Sequence, residues 1–581
     1  MENLPSFFVI RSDDLPSRDH FSGYFFDGVD IYVDHRLAGE FTQKRGELPH
    51  DLDGIYVAVQ SRSGRDRITG DYAGTIPLFL YRNTGFWAVS PSFSKLLELV
   101  KARGDQLNVV QDVLQAWRIS GAIGQFPRNY QTCVSEVMVV PSYCDLIGTD
   151  RSVAIVPRKR AGSRDYESAI NRYRQITGGR FRTIVENDGH LMLDITGGID
   201  SRAILATALE EFEEPEFATL NSQGRLSLRT NPRNQIDLPI ARQLAEIIGL
   251  DLRFDRRGMA TEGSVSDGAR SGRAEKDQGK EDARIDGLLA TWREERVGRW
   301  AIPGTDRRQW DQRMFSSSGV FGGNLKSPNP QETTVDDGRI FLKKFRKKFD
   351  SAELFERWSE RVIEDVKEAQ KWTGGDKLPF WPIFNREFVM RMHAGQSLGS
   401  HRLFPLASKD IADAVNHLDN QQLGQHRVHH DLIYVGAKSI YGAGYDKESK
   451  SPQSGFTPTV LPKIKCLRAG VFSASVATSG LSDEGVSRVP GPVFLQHIRD
   501  RTLEICERPE IREMIGESRC DEVIQAVSEL PREMRGVAFY KLAKLHEPHL
   551  AELLVDLGAV PEGKSKRNGP KDASWTRGGA S

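Results

Sequence analysis

The sequence predicts an α/β protein, with a β-rich amino-terminal region followed by a doubly wound α/β domain. Two observations lead to this prediction. Up to about residue 157, short apolar runs alternate with polar residues or end at turn residues, which is typical of strands. From residue 164 onward, apolar residues recur at helical spacing and strands alternate with helices, which favours a parallel sheet flanked by helices. The length of 581 residues is sufficient for two or three domains.

The amino-terminal region shows a series of short apolar runs. Ile55, Val57 and Val59 follow the turn at residues 51–54 and alternate with smaller or more polar positions, which indicates a half-buried strand. The strands are predicted at residues 55–59, 76–81, 85–89, 137–140 and 153–156. Phe93, Leu96, Leu97 and Leu99 recur at helical spacing and predict a short helix. We therefore expect a sheet-based domain over residues 1–157.

The next region is where helices and strands alternate. A helix around residues 170–181 leads into the apolar run 191–195, which is followed by glycines and predicts a buried parallel strand. The later elements are a helix at 203–209, a strand at 215–220, a helix from Asp237 to Ile248 and a strand at 250–254. This alternation predicts the doubly wound sheet.

The rest of the chain carries fewer signals. Residues 261–285 are polar and charged, and we expect them to form a mobile loop. Beyond residue 350 the pattern is mainly helical, with breaks around 449–462. The end of the chain, residues 557–581, is rich in Gly, Lys and Ser and predicts a disordered tail.

Composition excludes several classes of protein. Lys and Arg together number 80, as do Asp and Glu, so the formal net charge is zero and generic nucleic-acid binding is not expected. The five cysteines include no C-x-x-C pair, which argues against a disulfide framework and a cysteine zinc site. No run of about 18 apolar residues and no signal peptide is present. We expect a cytoplasmic protein without a membrane span.

One short motif carries chemistry, between the predicted strand 191–195 and the following helix. It reads Thr196-Gly197-Gly198-Ile199-Asp200-Ser201. The glycines allow a tight turn, and the N–H groups of the helix start, with the two hydroxyls, can hold a pyrophosphate. Asp200 can hold the accompanying Mg²⁺. The alternative is an ordinary glycine-rich turn capped by Asp or Ser. A Walker P-loop is excluded because Gly-Lys-Ser/Thr is missing.

This motif resembles the pyrophosphate loop, Ser-Gly-Gly-x-Asp-Ser, of the ATP-pyrophosphatase superfamily. Within that superfamily, the chain resembles the asparagine synthetase-like proteins in further segments that occur in the same order. These are the hairpin segment 70–78, residues 88–97, the helix from Asp237, residues 401–406 and residues 451–456. The resemblance implies an Ntn-hydrolase-like αββα domain at 1–157. It also implies an ATP-pyrophosphatase (PP-loop) synthetase domain with helical extensions at 158–556.

Departures from the family narrow the expected activity. Glutamine-using members carry a cysteine directly after Met1, because its thiolate attacks the glutamine amide. Here Glu2 and Asn3 follow Met1, and the family's Asn-Gly-Glu-x-Tyr-Asn segment is missing. Loss of glutamine hydrolysis is therefore expected. The same loss occurs in β-lactam and carbapenam synthetases and in lasso-peptide macrocyclases, which adenylate a carboxylate with ATP and join it to an amine.

The resemblance also suggests further site residues. The family's second acidic motif is nearest to residues 318–324, where Asn324 replaces an acid and would be a weaker metal ligand. Gln453 replaces a lysine that stabilises developing charge, and Lys450 or Lys447 could substitute for it or be solvated loop residues. Arg202 is another predicted nucleotide contact, although it could instead pair with a carboxylate. Leu220 and Asn221 are further predicted contacts, because they end the predicted second strand, where the family binds adenine.

Two charged clusters have ordinary explanations. His426, His429 and His430 with Asp431 could form a metal cluster, but the polar start of a helix is the better interpretation. The basic run 343–348 could bind a polyanion, but a solvated helix face is the better interpretation.

The sequence thus predicts an ATP-dependent, Mg²⁺-requiring carbon–nitrogen ligase that forms AMP and pyrophosphate. Its substrate would be a small-molecule or peptide carboxylate, and the amide could form within one molecule. A cyclised peptide would require a separate precursor and a protease as partners. Two alternatives stay open: amidation with free ammonia, and a non-catalytic scaffold with the same fold.

Overall fold

The structure is a computed structural model of the chain. The residues that it describes are 2–3, 8–33, 35–62, 64–119, 129–158, 164–230, 235–250, 252–254, 314–317, 319, 322–325, 335–373, 379–384, 402–464, 469–470, 472–473, 491–530 and 545–561. The predicted mobile loop at 261–285 lies outside them.

The amino-terminal region contains two mainly antiparallel sheets and three helices. Its strands are β1 (Glu2–Asn3), β2 (Ile10–Arg11), β3 (His20–Asp27), β4 (Asp30–Tyr32), β5 (Gly54–Arg62), β6 (Arg65–Gly70), β7 (Phe79–Asn83), β8 (Phe86–Ser90), β9 (Asn108–Val109), β10 (Val137–Val139), β11 (Cys144–Thr149) and β12 (Val153–Pro157). Its helices are α1 (His35–Arg45), α2 (Phe93–Ala102) and α3 (Gln111–Gln115). The main part of the first sheet runs β12-β11-β6-β5-β3-β4, and the second runs β10-β7-β8-β2. The strands predicted from 55–59, 85–89, 137–140 and 153–156 and the helix from Phe93 are confirmed.

The two sheets pack face to face, with a helix on each outer side. Val57 and Ile68 of the first sheet share a core with Leu80 and Trp87 of the second, because alternate residues of each strand point inward. Helix α1 packs on the outer face of the first sheet, and α2 packs on the outer face of the second. The region is therefore layered as helix, sheet, sheet and helix.

The second region is built on a fully parallel sheet. Its strands are β13 (His190–Asp194), β14 (Leu226–Thr230), β15 (Leu252–Phe254), β16 (Met314–Ser317) and β17 (Arg402–Leu403), in the order β15-β14-β13-β16-β17. The helices connecting the first three strands, and the one before them, are α4 (Tyr166–Glu186), α5 (Ile199–Glu211), α6 (Glu214–Ser222) and α7 (Asp237–Ile247). The α/β prediction is confirmed. The strand order reverses its direction between β13 and β16, and ligands bind at such a point in open parallel sheets.

One predicted strand is wrong. Residues 215–220 belong to helix α6, and the second strand of the sheet is β14 at Leu226–Thr230. Pro215 lies in the first helical turn, where an N–H would make no intrahelical hydrogen bond, so the proline is tolerated. Glu214 and Glu216 interact favourably with the positive end of the helix dipole. These signals outweigh the short apolar run that suggested a strand.

The carboxy-terminal elements are mainly helical, as predicted. The helices are α8 (Gly338–Lys343), α9 (Ala352–Thr373), α10 (Phe380–Phe384), α11 (Lys409–Val415), α12 (Asn420–Gly424), α13 (Arg427–Gly436), α14 (Lys438–Tyr441), α15 (Gly491–Glu507), α16 (Pro509–Ile515), α17 (Glu517–Ser528) and α18 (His546–Asp556). Among the described residues, no helix has both the length and the apolar character needed to cross a membrane. The exposed lysines of the basic run 343–348 lie at the end of α8 and directly after it, in agreement with a solvated face.

The end of the chain returns to the amino-terminal region. Strand β18 (Phe472–Ser473) pairs with β4, and β19 (Val560–Pro561) pairs with β9. Helices α15 to α18 share a hydrophobic core with α2 and the second sheet. The predicted disordered tail is therefore wrong for residues 557–561, because Val560 and Pro561 form a strand. Residues 562–581 lie outside the described part of the chain.

Candidate functional site

The predicted pyrophosphate loop, residues 196–201, connects β13 to α5 and is held by hydrogen bonds. The Gly198 N–H donates to Thr196 Oγ1 at 3.1 Å, and the Thr196 N–H donates to Ser201 Oγ at 3.1 Å. The Gly197 N–H donates to Asp237 Oδ1 at 2.9 Å, which ties the loop to the start of α7. The N-cap of α5 is Gly198, so no N-cap side chain occupies the first N–H groups of the helix. The N–H groups at such a helix start are suited to bind an anion.

Asp200, the predicted metal ligand, has a partner that the sequence analysis did not identify. His429 Nε2 lies 2.6 Å from Asp200 Oδ1, and the His429 side chain is fully buried whereas that of Asp200 is 22% exposed. The residues 426–431 do form the start of a helix, α13, as predicted. No group of three His, Cys, Asp or Glu side chains that could hold a metal occurs in the described part of the chain. The sequence does not predict this contact of His429, because its partner lies 229 residues away and no local pattern distinguishes this histidine from its neighbours.

Two glycines that follow β16 lie against Asp200, one at its carboxylate and one at its main chain. A Cβ atom on Gly322 would lie 2.1 Å from Asp200 Oδ1, and one on Gly319 would lie 2.8 Å from the Ser201 nitrogen. Only glycine allows this close approach. The main chain of Asn324 belongs to the short 3₁₀ helix Gly322–Leu325, which therefore starts beside Asp200. The Asn324 side chain, a predicted metal ligand, lies outside what the structure describes.

The donor set around Asp200 fits Mg²⁺ bound together with a nucleotide. Mg²⁺ in such sites is held by one or two carboxylates, with phosphates and water supplying the other oxygens. Asp200 would supply the carboxylate, and one of its oxygens, Oδ1, also faces His429.

Lys450 is the predicted catalytic lysine that the structure brings to the loop. Its Nζ donates to Asp446 Oδ2 at 2.7 Å, and the Asp446 N–H donates to the Gly197 carbonyl at 3.1 Å. A Cβ atom on Gly198 would be 3.9 Å from Lys450 Nζ. A cation therefore lies beside the glycines of the loop.

The other two predicted catalytic residues are placed differently. Lys447 and Gln453 are both exposed. The Gln453 carbonyl accepts the Phe456 N–H at 2.9 Å in a turn in which Gly455 has a φ of 82°. Within the described contacts, neither side chain reaches residues 196–201.

Among the described contacts, Arg202 pairs with main-chain carbonyl groups rather than with a carboxylate. Its guanidinium is fully buried, donates to the carbonyl groups of Ile440, Ala443 and Gly444, and lies 3.7 Å from the centre of the Tyr445 ring. Burial lowers the pKa of this side chain. Arg202 thus fixes the segment just before Asp446, and we do not assign it to a phosphate.

Leu220 and Asn221 lie at the wrong edge of the sheet for an adenine contact. They end helix α6, and Asn221 Nδ2 donates to the carbonyl of Leu226, the first residue of β14. Because β14 is parallel to β13, this is the edge opposite the 196–201 loop. The structure therefore does not bring Leu220 and Asn221 to the loop, and their assignment depended on the strand that was predicted at 215–220.

A buried cation at the carboxyl end of β14 was also not predicted. Arg229 Nε donates to Asp194 Oδ1 at 2.6 Å, and its Nη2 donates to Ser316 Oγ at 3.0 Å. These three side chains join the ends of β14, β13 and β16, just before the loop. The alternation of Leu226, Ser227, Leu228 and Arg229 indicates that one face of this parallel sheet is polar.

Helix α13 also contacts the segment that carries Lys450. The ring of His430 packs 5.1 Å from that of Phe456, and Asp431 Oδ1 accepts the Thr459 N–H at 2.6 Å. Burial, with the nearby His429, lowers the pKa of His430 to about 3, so its ring is neutral at physiological pH. One helix thus contacts both Asp200 and the segment after Lys450.

The site therefore consists of residues 196–201 with Asp237, His429, Gly322 and Lys450 around them, at the point where the strand order reverses. A scan of the chain against models of protein families finds no match, and a search among curated proteins finds no significant match.

Proposed function

We propose that the protein is an ATP-dependent carbon–nitrogen ligase of the asparagine synthetase-like type that does not hydrolyse glutamine. A substrate carboxylate attacks the α-phosphorus of ATP, and pyrophosphate leaves. An amine then attacks the carbonyl of the resulting acyl-adenylate, loses a proton and displaces AMP. The products are an amide, AMP and pyrophosphate.

The observation that carries this proposal is the juxtaposition of Asp200 and Lys450 at the glycine loop. The loop follows the central strand β13, next to the reversal of strand order. An uncapped helix start, a partly exposed carboxylate and a cation next to Gly198 are the groups that a nucleotide triphosphate with Mg²⁺ requires. An ordinary glycine-rich turn would need none of the three together.

Each group has a defined task in this proposal. The first N–H groups of α5 and the hydroxyls of Thr196 and Ser201 bind the pyrophosphate portion. Asp200 holds the Mg²⁺, which when bound offsets charge on the phosphates. Lys450, held by Asp446, stabilises the negative charge that develops on the leaving group.

The amine does not come from glutamine in this proposal. The amino-terminal region has the sheets and helices described above, but its sequence lacks the nucleophilic cysteine at position 2. We expect the carboxylate to belong to a small molecule or a peptide, and we expect the amine to come from the same molecule, so that the product is cyclic. We expect the protein to act in the cytoplasm.

Calorimetric titration of a non-hydrolysable ATP analogue with Mg²⁺ tests the nucleotide site. Wild-type protein should bind the analogue, and Asp200→Ala should lose most of the binding. Asp521→Ala, whose side chain is 67% exposed on α17, is the matched control and should bind as the wild type does. A folded wild type that does not bind at millimolar analogue would refute the ligase and leave the scaffold.

AMP release then tests the chemistry. With carboxylate candidates supplied in pools, Lys450→Ala should bind the analogue but release AMP about 100-fold more slowly, because a positioned charge is lost. Lys367→Ala, on the surface of α9, is its control. AMP release with aspartate and ammonium alone would instead support the ammonia-using alternative.

A further inference from the structure

We propose that His429 is a positioning residue that holds the Asp200 carboxylate in the orientation needed to bind the metal. This inference rests on the proposed function, because it assigns Asp200 to Mg²⁺. The carboxylate accepts, so the Nε2 of His429 carries the hydrogen in the 2.6 Å contact with Oδ1. The bond restricts the rotation of the carboxylate by fixing one of its two oxygens.

The exposures of the two side chains fit this arrangement. His429 has no exposed surface, and Asp200 keeps 22% of its side chain exposed. The histidine therefore approaches the carboxylate from the protein interior, while the ligand would approach from the open side. Partners of this kind, which bond a metal ligand but not the metal, fix the ligand's orientation.

His429 is itself held firmly by the packing of α13. A Cβ atom on Gly436, at the end of this helix, would lie 2.4 Å from the Ala206 carbonyl oxygen of α5. In the first half of the helix, Asp431 accepts hydrogen bonds from Arg427, Tyr166 and the Thr459 N–H. Helix α13 is thus held on both sides of His429's turn, at Gly436 by the helix that carries Asp200.

The backbone before His429 is also unusual. His426, the N-cap residue of α13, has a φ of 57° and a ψ of 37°, in the left-handed region that non-glycine residues rarely adopt. Such conformations persist where the surrounding contacts fix them, and they are frequent near functional sites. The helix therefore starts at a position that places His429, one turn later, on Asp200.

The test compares side chains at position 429 that keep or lose the donor. Glutamine can place its amide N–H near the position of Nε2, whereas leucine cannot donate and asparagine is too short to reach. At saturating ATP analogue, the Mg²⁺ concentration for half-maximal binding should rise 10- to 100-fold in His429→Leu and His429→Asn. His429→Gln should stay within about threefold of the wild type.

A purely structural role is separated by a neighbouring variant. His430→Leu alters an equally buried ring that packs on Phe456 rather than on Asp200, so it should change the melting temperature but not the Mg²⁺ midpoint. If His429→Leu does not fold, the Mg²⁺ midpoints of His429→Asn and His429→Gln are compared to test whether the hydrogen-bond donor matters.

The possible failures are distinguishable. Absence of analogue binding by the wild type refutes the proposed function. Wild-type binding that requires Asp200, with an unchanged Mg²⁺ midpoint in the folded donor-less variants at 429, refutes only the positioning role. A midpoint shift of equal size in His429→Gln and His429→Leu also refutes it.

Discussion

Replacing Gly322 by alanine is the sharpest test of how the segment after β16 fits the site. The added Cβ would lie 2.1 Å from Asp200 Oδ1 and from its Cγ, whereas ordinary contact begins at 3.4 Å. The two must therefore separate by more than 1 Å. Asp200 Oδ1 is also the atom that faces His429, so either the carboxylate leaves this partner or the turn moves away.

The expected cost follows from this overlap. Overpacking of a close contact costs about 1–3 kcal/mol, which corresponds to a loss of about 5- to 150-fold if all of it falls on ligand affinity. Part of it will fall on the free energy of unfolding. The sum of both losses in Gly322→Ala should be within this range.

Two assays measure the two parts: calorimetric titration with the Mg²⁺-loaded ATP analogue, and urea unfolding. Gly442→Ala is the matched control, since a Cβ there meets no atom within 4 Å. Wild-type affinity together with wild-type stability in Gly322→Ala would show that the contact with Asp200 is not as described. The reasoning would then fail, whatever the activity of the protein.

Three further predictions concern the surroundings of the site. Arg202→Met should lower the free energy of unfolding by about 3 kcal/mol, because buried carbonyl groups lose a charged donor; a loss of nucleotide affinity with no change in unfolding would contradict the anchoring role. Gly436→Ala should lower the free energy of unfolding in urea by about 1–3 kcal/mol, because the added Cβ separates α13 from Ala206. An unchanged free energy of unfolding would contradict the close contact between the two helices. Burial raises the pKa of Asp71 from 3.8 to about 6, so the folded state holds the proton more tightly. This difference contributes about 3 kcal/mol to the free energy of unfolding below pH 4, and the contribution is lost as the pH rises to about 6. In Asp71→Asn, the free energy of unfolding should therefore depend less on pH over that interval.

Local patterns in the sequence were sufficient for most elements near the site. The strand before the loop, helix α5 and helix α7 are all confirmed, since each carries an apolar period over its full length or ends at glycines. The strand at 215–220 is wrong because the short run 217–220 suits a strand and a helix alike. Only the proline and the two glutamates at its start favour the helix.

The sheet itself shows a second limit of local patterns. A parallel sheet covered on both faces usually has continuous apolar strands, and such apolar runs are the pattern that predicts its strands. Strand β14 instead alternates, with Leu226 and Leu228 in the core and Ser227 and Arg229 on the other face. The alternating strand was therefore overlooked, and with it the buried Arg229 beside Asp194.

The candidate site could be predicted only in part, because its contacts join distant segments. Residues 196–201 can be recognised from their motif and from their position between a strand and a helix. Lys450 was identified through the family resemblance. By contrast, Gly322 and His429 reach Asp200 from 122 and 229 positions away. The sequence does not distinguish Gly322 from Gly442. In the structure, a Cβ on Gly322 would overlap the Asp200 carboxylate, whereas a Cβ on Gly442 would meet no atom within 4 Å. A glycine required for its backbone angle can be inferred from a turn pattern, but one required for close approach cannot, because the approaching group is specified elsewhere in the chain. The same holds for His429, whose neighbours in sequence explain a helix start but not the carboxylate that it contacts.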